Sequence, residues 1–139
     1  MKKDTIAAIS TGMTNSGIGI VRISGEEAFA IIDRIYKGKE QLSQAESHTI
    51  HYGFIKDREE TIDEVLVSVM RAPRTFTGED TVEINCHGGT FVVRKVLETV
   101  IKKRGQTGRT GRIYQARIFE WKDGSFPGRG GDRCNHISE

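Results

Sequence analysis

Residues 75–89 read Thr75-Phe-Thr-Gly-Glu-Asp-Thr-Val-Glu-Ile-Asn-Cys-His-Gly-Gly89, and the run from Val82 to His87 alternates strictly. Successive side chains of a strand point to opposite faces. Val82, Ile84 and Cys86 therefore form one face, ready for a core. Glu83, Asn85 and His87 form the other: a carboxylate, an amide and an imidazole in a row. Gly88 and Gly89 follow, and a helical pattern begins at once. A polar strand face running into the start of a helix is a common seat for a polar ligand. From the pattern alone, a half-solvated strand with a flexible turn is the favoured reading.

Working outward, Val93, Val96, Leu97, Val100 and Ile101 mark an amphipathic helix. Lys102, Lys103 and Arg104 suit the dipole of its last turn, and Gly105 closes it. Upstream, 5–10 and 18–23 read as strands around a polar turn, and the second carries Arg22 among apolar neighbours. A guanidinium there is either a structural ion-pair partner or a clamp for an anion or carbonyl. Ser24 and Glu27 have capping-box spacing for a helix with Ala28, Ile31, Ile32, Ile35 and Tyr36 on one face, ending near Gly38. Strands are expected over 48–56 and 64–70, with a charged turn at 57–60 between them and a loop at 71–74 after them. The order implies an α+β fold, a small mixed sheet with two helices packed on one face.

With 139 residues, the chain has room for one domain with a modest core. No apolar run approaches the about 20 residues that cross a bilayer. Met1-Lys2-Lys3-Asp4 lacks a signal peptide's apolar segment, so a cytoplasmic location is expected. The formal charge of +2 is too small to argue nucleic-acid binding by itself. Cys86 and Cys134 have no metal-ligand spacing, and Cys86 reads as a small buried apolar residue. His48 and His51 lack a third ligand at a usable spacing, which leaves them as surface residues and no metal site expected.

Two motifs carry a family resemblance: Asn15-Ser-Gly-Ile-Gly-Ile-Val-Arg-Ile-Ser-Gly25, and Phe76-Thr-Gly-Glu-Asp with Glu83 and His87-Gly-Gly. In this order they resemble the N-terminal domain of the tRNA-modifying GTPase family of the MnmE or TrmE type. The likeness covers about residues 3–105. The resemblance implies a domain similar to the folate-binding domain of the glycine-cleavage T-protein. It implies binding of a reduced folate, 5-formyl- or 5,10-methylene-tetrahydrofolate, and homodimerisation with the folate sites near the interface. In full-length relatives the folate is the expected one-carbon donor for a 5-carboxymethylaminomethyl-type modification of the tRNA wobble uridine, made with an FAD-dependent partner of the MnmG or GidA type. Arg22 and Glu83 match the family's folate contacts. Asn85, His87, Gly88 and Gly89 are implied to shape the pocket. The family's G-x-x-x-x-G-K-[ST] phosphate loop is not found in these residues, so neither a GTP site nor a catalytic residue is expected in this stretch.

Domain 1–105 is followed by a tail, 106–139, of different composition: glycine and arginine without a helical or strand period. An Arg/Gly nucleic-acid tail and a disordered, solvated end are two readings. A third comes from the codons. Thr110-Gly-Arg-Ile-Tyr written ACC GGG AGA ATT TAC becomes, one base on, Pro-Gly-Glu-Phe-Thr, the family's motif after its second helix. Lys122 to Gly131 in the same shifted frame can be read Arg-Met-Asp-Leu-Ser-Gln-Ala-Glu-Ala-Val, again like the family. The tail thus reads as a frameshift that leaves the domain incomplete, and Lys122 is not the equivalent of the family's third, basic folate contact. Loss of the in-frame segment removes apolar burial at about 25 cal/mol per Å2 and predicts a marginal, aggregation-prone chain.

Two other function classes stay open on the residues. One is a stand-alone tetrahydrofolate enzyme of the T-protein type, for which His87 and Asp80 are the acid–base candidates. The other is an RNA-binding module using the Arg/Gly tail.

Overall fold

The computed structural model describes residues 5–11, 17–75, 77–104, 117–120 and 135–136. In chain order the elements are β1 (Ile6–Ile9), β2 (Ile18–Ser24), α1 (Ala28–Ile35), β3 (Tyr36–Gly38), a 3-10 turn (Leu42–Gln44), β4 (Thr49–Asp57), β5 (Glu60–Met70), β6 (Thr81–His87), α2 (Thr90–Arg104), β7 (Arg117–Glu120) and β8 (Asn135–His136). The sheet runs β3-β4-β5-β6-β2-β1-β7-β8. Neighbours are antiparallel except β1 and β7, which run parallel, so the sheet is mixed. The α+β expectation holds.

β6 lies between β2 and β5, and its alternation sets the register of the whole sheet. Ile84 faces Val21 on one side and Val67 on the other, while Val82 faces Ile23 and Val69. These residues, all fully buried, join Ile31, Ile32 and Ile35 of α1 and Val96, Leu97 and Val100 of α2 in one core. Both helices therefore cover the same face. Gly19 is required by that packing: a Cβ there would collide with the Val93 side chain of α2.

The start of α1 departs from the expected capping box. Ser24 is still in β2, and its hydroxyl bonds Thr77 Oγ1 at 2.8 Å and Glu79 Oε1 at 2.9 Å. Gly25 then turns the chain with φ at +141°, pressed against Thr5, and the helix starts only at Ala28. Its entrance is held by a residue remote in sequence, since the Glu27 amide donates to Thr5 Oγ1 at 3.0 Å. The end differs too. Tyr36 leaves the helix and opens β3, because its amide closes the last turn on Ile32 O while its hydroxyl donates to Tyr52 O at 2.7 Å. β5 begins at Glu60, four residues before the expected start at Glu64, because the Arg58–Glu59 turn closes a hairpin on Asp57.

Of the tail, β7 adds to the outer edge of β1, with Ile6 opposite Arg117 and Ile9 opposite Glu120. The codon-derived motif at 110–114 and Lys122 lie outside the described residues.

Candidate functional site

The uncovered face of the sheet carries the polar set. Odd-numbered residues of β6 point there: Glu83, Asn85 and His87 face Arg22, Ile20 and Ile18 of β2. Arg22 and Glu83 are direct cross-strand partners. Arg22 Nε donates to Glu83 Oε2 at 2.7 Å, and Nη2 closes on the same oxygen. Glu83 Oε1 takes no part in either bond. The two side chains retain 18% and 21% exposure, so the pair is partly desolvated yet reachable. Such a charge-assisted pair is stronger than a neutral bond and presents a fork of donors beside acceptor lone pairs.

Two residues along β6, Asn85 Nδ2 donates to Leu66 O at 3.2 Å. Two residues further along on the same face, His87 is clasped by Asp63. One carboxylate oxygen accepts the His87 amide at 2.9 Å, and the other lies 2.8 Å from Nδ1. Asp63 is 11% exposed and His87 68%, so a sheltered acid orients an exposed ring. Asn85 and His87 line a cavity of about 380 Å3 together with Ile18, Tyr52 and Leu66. The Tyr52 hydroxyl donates to Glu64, and that bond, with some burial behind it, raises the tyrosine pKa above 10.0.

The structure thus brings Arg22 to Glu83, and Asn85 to His87, on one face. Arg22 and Glu83 do not line the cavity, which opens toward the His87 end of β6. Gly88 and Gly89 do not line it either; Gly89 O accepts the Val93 amide at 3.0 Å and starts α2. Cys86 points into the core with 4% exposure, as expected of a small apolar residue. Burial, helped by the Asp63 charge, pushes its thiol up to about 12, and its S–H lies 3.4 Å from Gly19 O.

Residues 77–80 of the second motif clasp the loop to the sheet. Thr77 bonds Ser24 and Thr81, and Thr75 Oγ1 donates to Glu79 O at 2.7 Å. Asp80, an acid–base candidate on sequence grounds, accepts the Ala72 amide at 2.9 Å while its carbonyl accepts the Gly25 amide. Asp63, Tyr52 and Glu64 escaped the sequence reading because charged residues in a β-strand look like solvated surface until the register places them. Among the described residues no cluster of three metal-ligating side chains occurs, and no helix is long and apolar enough to cross a membrane.

Comparison with known proteins decides the family. The family described as GTP-binding protein TrmE N-terminus matches residues 5–120. The chain belongs to that family. The tRNA modification GTPase MnmE of Lachnoclostridium phytofermentans is 57% identical over 122 residues, 86% of this chain and 26% of that protein. Those of Listeria welshimeri and Bacillus subtilis are 55% and 54% identical over 119 and 120 residues, again covering 26% of each relative. This TrmE N-terminal domain therefore spans only a minor share of its curated relatives. Both sequence motifs fall inside the matched range, and so do Arg22, Glu83, Asn85 and His87.

Proposed function

We propose that this chain is the reduced-folate-binding and dimerising module of a tRNA-modification GTPase. The observation that carries it is the Arg22–Glu83 pair, direct partners across β2 and β6 on the face the helices leave open. A pterin offers an N–H and an amino group side by side. A carboxylate with one oxygen outside the ion pair is a fitting acceptor for such donors, and the adjoining guanidinium suits a ligand carbonyl or carboxylate. The bound folate would supply the one-carbon unit. The chain's own contribution is to bind and orient it. Asn85 and His87, two and four residues along β6, extend the same polar row.

The dimer reading draws on the apolar side chains of that face. Ile18, Ile50, Tyr52 and Leu66 are 48–66% exposed there, a patch of the kind that marks association surfaces. In full-length relatives the module would serve wobble-uridine modification of tRNA with an FAD-dependent partner of the MnmG type. The same proposal includes the tail: residues from about 106 are out of frame, and the lost segment carried the third folate contact.

Titration of the chain, and of a version with the frame restored after Gly105, with 5-formyl-tetrahydrofolate tests this. The restored chain is expected to bind and its Glu83→Ala variant to fail. Absence of binding by the restored chain overturns the folate reading. DNA whose alternative frame does not encode Pro-Gly-Glu-Phe-Thr overturns the tail reading.

A further inference from the structure

A second polar cavity, of about 470 Å3, lies at the other edge of the sheet, where the end of α1, the β4–β5 turn and the end of α2 meet. Five cations line it: Arg34 and Lys37 from the α1–β3 junction, Lys56 and Arg58 from the hairpin, and Lys103 from α2. Two acids, Asp33 and Glu59, accompany them. Asp33 is already committed, with Oδ1 accepting the Leu42 and Ser43 amides at 2.9 and 3.3 Å. Lys103 reaches Asp57 only at 3.9 Å, while Lys102 holds the other oxygen of that carboxylate at 2.5 Å.

Arg34 supplies the deciding detail. Its Nη1 is buried and has no hydrogen-bond partner among the described residues. An unsatisfied buried donor is costly and charged ones more so; Arg34 also lines the cavity, so a shift of its guanidinium toward an anion seated there would give that donor an acceptor. A phosphate oxygen is the match: it is anionic, takes several donors, and pairs with guanidinium in a fork while lysines supply point charges. The cations come from three separate elements along an edge, which suits successive phosphates of a backbone.

We propose that this cavity holds a phosphodiester of an RNA backbone, giving the module an RNA contact separate from the folate face. The choice of RNA rests on the tRNA-modification reading above. The test is fluorescence anisotropy of the full chain with an end-labelled tRNA transcript, from about 50 to 200 mM KCl. Arg34→Met is expected to weaken binding about tenfold and to lower the slope of log K against log salt by about 0.7 to 0.9. Arg58→Asn, which suits the positive φ of 60° at that position, should add a similar loss. Arg74→Gln, the same charge removed from an exposed loop outside the cavity, should change neither. The tail is identical in all variants, so its arginines contribute equally throughout.

Equal losses in all three variants, no binding by the parent chain, or tRNA binding insensitive to Arg34→Met while inorganic phosphate still binds would each overturn the proposal. Arg34→Met removes an unsatisfied group and should leave the thermal midpoint unchanged or higher. Lys37→Gln, at an exposed position, repeats the test should that variant fold poorly. Folate titration of Arg34→Met is expected to match the parent. Absence of folate binding by the frame-restored chain, with tRNA binding by the parent intact, would fail the folate reading alone.

Discussion

The two faces of the sheet are made by the same strands and share almost nothing. On the helix-covered face, Val21, Val67, Val69, Val82 and Ile84 have 0% exposure and belong to one hydrophobic core. On the opposite face the interleaved residues are an ion pair, an amide, a carboxylate-oriented imidazole and large apolar groups left at the surface. One face is built almost wholly of apolar side chains. The other concentrates them beside exposed hydrophobics. A period of two in the sequence thus separates what makes the domain fold from what it offers to other molecules.

The comparison can be broken most directly at Ile84. Truncation to Ala leaves a cavity between α1, α2 and the sheet, with an expected loss of about 2–5 kcal/mol by denaturant titration. A loss below about 1 kcal/mol would mean the core face is not close-packed. Gly19→Val should come next, at about 1–3 kcal/mol, because its Cβ enters the space of Val93. Its polar neighbours across the sheet should be insensitive to that change.

On the open face, Glu83→Leu takes from Arg22 a carboxylate that it holds in partly buried surroundings, at an expected cost of about 1–3 kcal/mol. The double variant with Arg22→Leu should recover some of it, since replacing both partners removes the desolvated charge as well. If the double variant is no better than the worse single one, the pair does more for stability than for ligand capture. Leu66→Ser should stay within about 0.5 kcal/mol in the monomer while lowering the apparent mass in sedimentation. A folding cost instead would show that the patch is core.

The smallest expected effect is an acid one. The hydrogen bond from Lys102, with Lys103 and Arg58 nearby, holds the Asp57 carboxyl below 3.8. A lowered pKa stabilises the fold above the unfolded value, and the gain disappears as pH falls through 3.8 and below. Lys102→Met should flatten that acid limb and leave neutral stability nearly unchanged.

Much of this was legible in one dimension. Alternation in Val82–His87 identified the faces of β6, and helical spacing located α2, because both signals depend only on local periodicity. Arg22 and Glu83 were singled out from their motifs, although nothing local says that two residues 61 apart in sequence share a bond. The capping box failed for a related reason. Ser24 has the spacing, yet the strand runs through it, and Thr5 does the capping from another segment. Asp63, Tyr52 and Arg34 gave no signal, because their partners or cavities are assembled from distant elements.

What the amino-acid order determined alone is the pattern: which residues alternate, which recur at helical spacing, and where the language of the chain changes after Gly105. Tertiary structure decided the pairings. The sheet order brings β2 and β5 to either side of β6, so register, not sequence neighbourhood, sets Arg22 against Glu83 and Asp63 against His87. Periodicity is written in backbone geometry and survives in any context, whereas an ion pair or a cation-lined cavity exists only once separate segments have been packed against one another.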